Sequence, residues 1–158
     1  LKVIDHLKLA YVTQTTLSVD DTRGIIEALQ VRFPEIKGPG TKDICYATQN
    51  RQTAVHELAK KVDLLLVIGS SNSSNSNRLR EIGEEHNIPS YLINGVEELK
   101  DDWFETVKNV GVTAGASAPE TLTMAVTSYL EGKYAAQASV MEGKAENTKF
   151  KLPDEVMK

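Results

Sequence analysis

Between Ser70 and Asn77 the chain carries SSNSSNSN, five serines and three asparagines in eight positions. They follow an apolar run and precede a helical pattern, which puts them at a strand-to-helix turn. Short hydroxyl and amide side chains offer neutral donors and acceptors. A helix N-terminus adds free N–H groups and partial positive charge. Together they suit a multiply charged anion such as a diphosphate, with no Lys or Arg required. A flexible linker or simple helix capping are the plainer readings. Two other strand-to-helix turns share this composition: TQTTLS at 13–18 and TAGASAPE at 113–120. In the last of these, Ser117 through Glu120 spells a capping box with Pro in the first turn.

Cys45 is the only cysteine. A lone Cys reads first as a small buried hydrophobe, and a metal ligand would need partners. His56 and His86 fall in helical patterns dense with charge and read as solvated; His6 completes the histidines. No Ser-His-Asp or Cys-His arrangement can be argued from these residues. Neither GxGxxG nor GxxxxGK[ST] occurs in the 158 residues, so no dinucleotide or Walker-type site is indicated.

The elements that must position these turns alternate between strand and helix. Strands are expected at 7–12 (LKLAYV), 64–69 (LLLVIG), 90–93 (SYLI) and 109–114 (NVGVTA). The near-continuous apolar run at 64–69 is how a strand covered on both faces reads. Helices are expected at 22–33, 51–62, 77–85, 96–107 and 119–130. Ser18 with Asp21 resembles a cap for the first, with Ile25, Ile26 and Leu29 on its apolar face; Pro34 stops it. The charges at 80–86 and 97–105 read as exposed helix faces. Past Gly132 the chain is polar, with one short strand candidate at 148–152. Alternation of this kind predicts an α/β fold of repeated strand-turn-helix units with mainly parallel sheets. The Gly/Pro stretch KGPGTKD at 37–43 is the natural boundary between two units.

Bulk properties narrow the class. Eighteen basic residues against 22 acidic ones leave a net charge of −4. That balance argues against a nucleic-acid partner or a membrane-surface patch. The longest apolar run falls far short of the roughly 18 residues a membrane span needs. One cysteine permits no internal disulfide framework, which fits a reducing compartment. The chain opens on Leu1 and enters a strand pattern within a few residues, as a piece of a longer chain would.

Four stretches carry a sharper signal: TQTTLSVDDT (13–22), DICYATQNRQ (43–52), GSSNSSNSNRL (69–79) and GVTAGASAPE (111–120). In their residues and their order they closely resemble the LytB family, the 4-hydroxy-3-methylbut-2-enyl diphosphate reductases, over the span from Thr13 to about Leu130. The resemblance implies three pseudo-symmetric α/β units around a [4Fe-4S] cluster held by three cysteines. The open iron takes the substrate hydroxyl, and two electrons and protons remove it. The products are isopentenyl and dimethylallyl diphosphate, the end of the methylerythritol phosphate (MEP) route to isoprenoids. Carried onto this sequence, Cys45 matches one cluster ligand. Ser73, Ser74, Asn75 and Ser117 match diphosphate-binding residues. Thr15 matches the threonine near the substrate hydroxyl that supports proton delivery.

The same resemblance assigns the other two cysteines, the family's histidines and its proton-donating Glu to an N-terminal half. This chain then corresponds to the C-terminal half: the end of the middle unit (1–38), a complete unit (39–134) and a tail (135–158). The expected partners are the allylic diphosphate, the N-terminal half, and an electron donor such as ferredoxin or flavodoxin. The expected setting is a bacterial cytoplasm or a plastid. A non-catalytic diphosphate-binding α/β module is the alternative from the residues alone, and an interaction domain with merely capped helices is the third.

Overall fold

A computed structural model describes residues 3, 5, 8–40 and 44–143. The 148–152 strand candidate, His6 and residues 41–43 of the Gly/Pro boundary lie outside that set. Three parallel strands form the sheet: β1 (Leu64–Ile68), β2 (Ser90–Ile93) and β3 (Val110–Ala114), in the order β2-β1-β3. The register runs Leu65 to Ser90 through Ile68 to Ile93 on one side of β1. On the other it runs Leu64 to Val110 through Ile68 to Ala114. The expected α/β class with a parallel sheet is what the chain adopts.

All five residues of β1 are buried. Because side chains alternate across a strand, the run splits between two cores. Leu64, Leu66 and Ile68 pack on one side with Ile93, Val126 and Leu130, the last two from the helix Glu120–Tyr134. Leu65 and Val67 pack with Val55, Leu79 and Ile82 on the other. Each such side chain contributes roughly 1.5–3 kcal/mol by leaving water.

Four α-helices surround the strands: α1 (Val19–Arg32), α2 (Tyr46–Ala59), α3 (Ser74–Glu85) and α4 (Glu120–Tyr134). The first three begin earlier than their apolar periodicity suggests. Ser18 and Ser73 are N-caps whose side chains accept from the Asp21 and Ser76 N–H groups, so residues that read as turn become the first helical turn. Cys45 occupies the N-cap position of α2 without a side-chain capping bond. For α4 the expected Ser117 cap is overturned: Pro119 holds the N-cap position and Ser117 stands outside the helix, exposed. That helix also runs on past Leu130 and ends where Ala135 turns left-handed at φ 51°.

Two other expectations fail. No helix spans 96–107; two short 3-10 turns, Val96–Glu98 and Asp101–Phe104, stand there instead, separated by extended Leu99 and Lys100. The segment's own side chains tie it to its neighbours. The Glu98 carboxylate accepts from the Asn94 backbone and side chain, Asp101 accepts from Lys133 and Tyr134 of α4, and Trp103 stacks on Tyr91 of β2 at 3.8 Å. The 7–12 strand shrinks to one parallel bridge, Ala10 to Lys37, among the described residues. On α1, Ile26 is buried, but Ile25 is 63% exposed and does not share its face.

His56 and His86 are not the solvated side chains their charged neighbourhood suggests. Both are half-buried, and His56 Nδ1 lies 3.0 Å from His86 Nε2, joining α2 to the end of α3. Burial holds the His56 pKa below its ordinary value; His86, Arg78 and Lys60 push the same way, and Glu85 opposes them. In the unfolded chain His56 would protonate near pH 6.5. The folded protein therefore keeps its full stability above that pH and loses some as pH falls through it toward the lowered folded value. Thermal unfolding midpoints should drop on acidification through about pH 6.5 more steeply for the native chain than for His56→Gln. Parallel slopes would refute the linkage.

Candidate functional site

The parallel sheet points the carboxyl ends of β1 and β3 the same way, side by side. Ligands in open α/β sheets gather beyond such ends. The two strands are closed by Gly69 and Gly115. The Gly115 N–H donates to the Ile68 carbonyl at 2.8 Å, so the two turns start in contact. Both glycines back onto Ser76, which is 1% exposed. A Cβ at either would lie 2.2 Å from Ser76 Oγ, an impossible approach. Only glycine lets the first turn of α3 sit this close to both strands.

Within the Ser/Asn turn, the side chains divide by task. Ser73 Oγ caps α3 and accepts from the Ser76 hydroxyl at 3.0 Å. Asn77 Nδ2 donates to the Ser71 and Ser73 carbonyls, and Ser70 Oγ accepts from the Asn72 N–H. These bonds build the turn. Asn75 is different. It is 7% exposed, yet neither its Oδ1 nor its Nδ2 has a hydrogen-bond partner among the described residues. Its Nδ2 lies 3.5 Å from where a Gly115 Cβ would stand, at the junction of the two turns. Buried amides are normally satisfied, and an orphan at this cost of about 1–3 kcal/mol marks a place where a ligand group would complete the pattern. Ser74 Oγ is exposed at the start of α3 and accepts from Gln14 Nε2 at 3.4 Å. Thr13 Oγ1 is also buried without a partner.

The third turn, TQTTLS, is drawn in by α2. The Cys45 N–H donates to the Thr15 carbonyl at 3.0 Å. Gln52 Nε2 donates to the Thr16 and Leu17 carbonyls at 3.3 and 3.4 Å. Arg51 Nη1 donates to the Ala114 carbonyl at 3.1 Å, and Gln49 Nε2 to the Ile44 carbonyl at 3.0 Å. Arg78 adds an ion pair across to α1 through Asp21 at 3.4 Å.

Of the residues singled out by sequence, Thr15 and Cys45 are joined through their backbones. Ser73, Ser74 and Asn75 stand together at the α3 N-terminus, with Ser74 linked to the Thr15 turn through Gln14. Ser117 is exposed in the turn adjoining Asn75. Cys45 is exposed, against the buried-hydrophobe reading, and it sits at the positive end of α2. As a donor for an iron–sulfur cluster this chain offers one thiol where three or four are needed. Among the described residues no group of three or more His, Cys, Asp or Glu could hold a metal. A cluster at Cys45 would need its other ligands from outside the described residues. Sequence reasoning missed Gln49, Arg51, Gln52 and Ser76. The signal available for the first three was a polar run directly after the cysteine on a helix that must also face a core.

No helix of the described residues is long and apolar enough to cross a membrane. The family model described as LytB protein matches residues 1–131. The 4-hydroxy-3-methylbut-2-enyl diphosphate reductase of Burkholderia pseudomallei (strain 1026b) is 59% identical over 145 residues, 92% of this chain and 46% of the relative. The protein of that name from Ectopseudomonas mendocina (strain ymp) is 55% identical over 156 residues, 99% of this chain and 50% of the relative. Among solved structures, the E-1-hydroxy-2-methyl-but-2-enyl-4-diphosphate reductase from Plasmodium falciparum matches with a TM-score of 0.84 at 39% identity. It covers 95% of this chain and 48% of its own. The chain thus spans about half the length of the curated relatives it matches. With the family model covering most of its length and relatives above half identity, the chain belongs to the LytB family.

Proposed function

We propose that this chain is the C-terminal half of a 4-hydroxy-3-methylbut-2-enyl diphosphate reductase, an oxidoreductase of isoprenoid synthesis, and that it binds the diphosphate end of the substrate. The observation that carries this reading is the unpartnered, buried Asn75 amide at the junction of two Ser-rich turns, with Cys45 tied to a third. In this reading, residues 1–38 end the middle unit of the enzyme, 39–134 form a complete unit and 135–158 a tail.

Asn75 would bond a phosphate oxygen through Nδ2. Ser73, Ser74 and Ser117 would add hydroxyl donors, and the N-terminus of α3 its dipole. Thr15 would hold its hydroxyl toward the substrate hydroxyl and relay a proton to it. Cys45 would supply one thiolate ligand to a [4Fe-4S] cluster whose other ligands lie outside this chain. When bound, such a cluster supplies the two electrons and a Lewis-acidic iron for the hydroxyl that leaves. By itself the chain would be inactive, since one thiol does not hold a cluster. The N-terminal half and a donor such as ferredoxin or flavodoxin complete the system, in a bacterial cytoplasm or a plastid. A non-catalytic diphosphate-binding module is the second reading; the orphaned Asn75 amide favours it equally, and Cys45 separates the two.

In the complete protein, Cys45→Ser should abolish iron and acid-labile sulfide after anaerobic reconstitution, and activity with them. Retained iron and turnover would rule out Cys45 as a cluster ligand, and a native complete protein with neither iron nor turnover would leave only the binding module standing. Asn75→Ala should weaken pyrophosphate binding in calorimetry by about tenfold or more, the value of one to two hydrogen bonds to a charged group. Its unfolding free energy should stay level or rise by about 1 kcal/mol, because an unsatisfied buried amide is removed. A large loss of stability with unchanged pyrophosphate affinity would make Asn75 a structural residue instead.

A further inference from the structure

Three consecutive carbonyls of the TQTTLS turn are held from one direction. Thr15 accepts from the Cys45 N–H, and Thr16 and Leu17 both accept from the two-hydrogen amide of Gln52. Gln52 is 7% exposed, on the helix that Cys45 opens. A glutamine on the inward face of a helix is an expensive choice unless its amide is needed. Here both N–H bonds go to a turn 35 and 36 residues away in sequence, and none to the helix's own backbone. The next residue back, Arg51, reaches the Ala114 carbonyl, the last residue of β3 before the Ser117 turn. One helical turn of α2 therefore sets the positions of two of the three Ser/Thr-rich turns relative to Cys45.

We propose that Gln52 is a positioning residue: its amide fixes the Thr15 turn against the N-terminus of α2, so that the Thr15 hydroxyl and the Cys45 sulfur keep one mutual placement. The inference rests on the reductase reading above. Thr16 is half-buried and Leu17 is exposed, and both bonds from Gln52 are only part-buried, so the turn lies near solvent. The fold survives, and the constraint on the turn is what goes. A reacting group released from a near-attack placement by about 1 Å costs up to about 100-fold in rate. The Ser/Asn turn is built by its own internal bonds, with a Gln14 to Ser74 bond at 3.4 Å tying it to the Thr15 turn, so diphosphate affinity changes far less than the rate.

The test uses the complete, iron-loaded protein and two variants. Gln52→Leu removes the amide at similar volume. Gln52→Glu keeps the shape but, when ionised, has no N–H and sets a carboxylate against two carbonyl oxygens. Both should lower kcat by about 10- to 100-fold with KM, pyrophosphate affinity and iron per chain near those of the native protein. Unchanged kcat in a folded, iron-loaded variant overturns the proposal. So does a loss of kcat that only follows lost iron or a collapsed unfolding midpoint in both variants, since that is a structural role. A native protein that holds no iron and has no reductase activity overturns the reductase reading itself, and this inference with it.

Discussion

Burial of β1 on both faces is the constraint from which the rest of the molecule follows. Five consecutive apolar side chains cannot be hidden by one layer. Leu64, Leu66 and Ile68 demand α4 on one side; Leu65 and Val67 demand α2 and α3 on the other. With the strand central, β2 and β3 flank it in parallel: α3 carries the chain from β1 to β2, and the segment with the two 3-10 turns carries it back across β1 to β3. The carboxyl ends of β1 and β3 then open side by side, and the helices that follow begin there. The candidate site is a geometric consequence of sealing that strand.

The turns beyond the strand ends divide the same residue types between satisfied and unsatisfied side chains. Ser73, Ser76 and Asn77 spend their hydrogen bonds on the turn and on the helix start. Asn75, between them in sequence, is buried without partners. A turn made only for capping would have satisfied it, because an orphaned amide costs as much as several surface contacts gain. Gly69 and Gly115 belong to the same arrangement: their missing Cβ atoms let Ser76, and with it the α3 N-terminus, approach both strands. The chain belongs to the LytB family and spans about half the length of the curated relatives it matches.

α2 links the two parts of the described chain. Its first residue follows Cys45, its inward face closes the core through Val55 and Ala59, and its polar side chains reach two separate turns. A helix with that many roles has weak amphipathic patterning, which is why its start is hard to place from periodicity. The segment after β2 went the other way. Leu99, Trp103 and Val107 are spaced as on a helix, but the segment breaks into two 3-10 turns whose Glu98 and Asp101 carboxylates are held by Asn94, Lys133 and Tyr134.

From sequence alone, the parallel α/β class, β1 through β3, the existence of a helix after the Ser/Asn turn, and the composition of the three turns were all legible. Each depends on local pattern: a saturated apolar run, a 3.6-residue stripe, a cluster of small polar residues between them. Four ordered motifs also carried the resemblance to the LytB family. What the sequence could not contain was the outcome of competition between distant groups. Whether Ser117 caps α4, whether Asn75 finds a partner, whether His56 meets His86, and whether Gln52 turns its amide to Thr16 and Leu17 are settled only when separate segments pack. Hydrogen bonds between residues 30 or 36 positions apart leave no periodic trace in the chain. Burial alone decides which of them outweigh water.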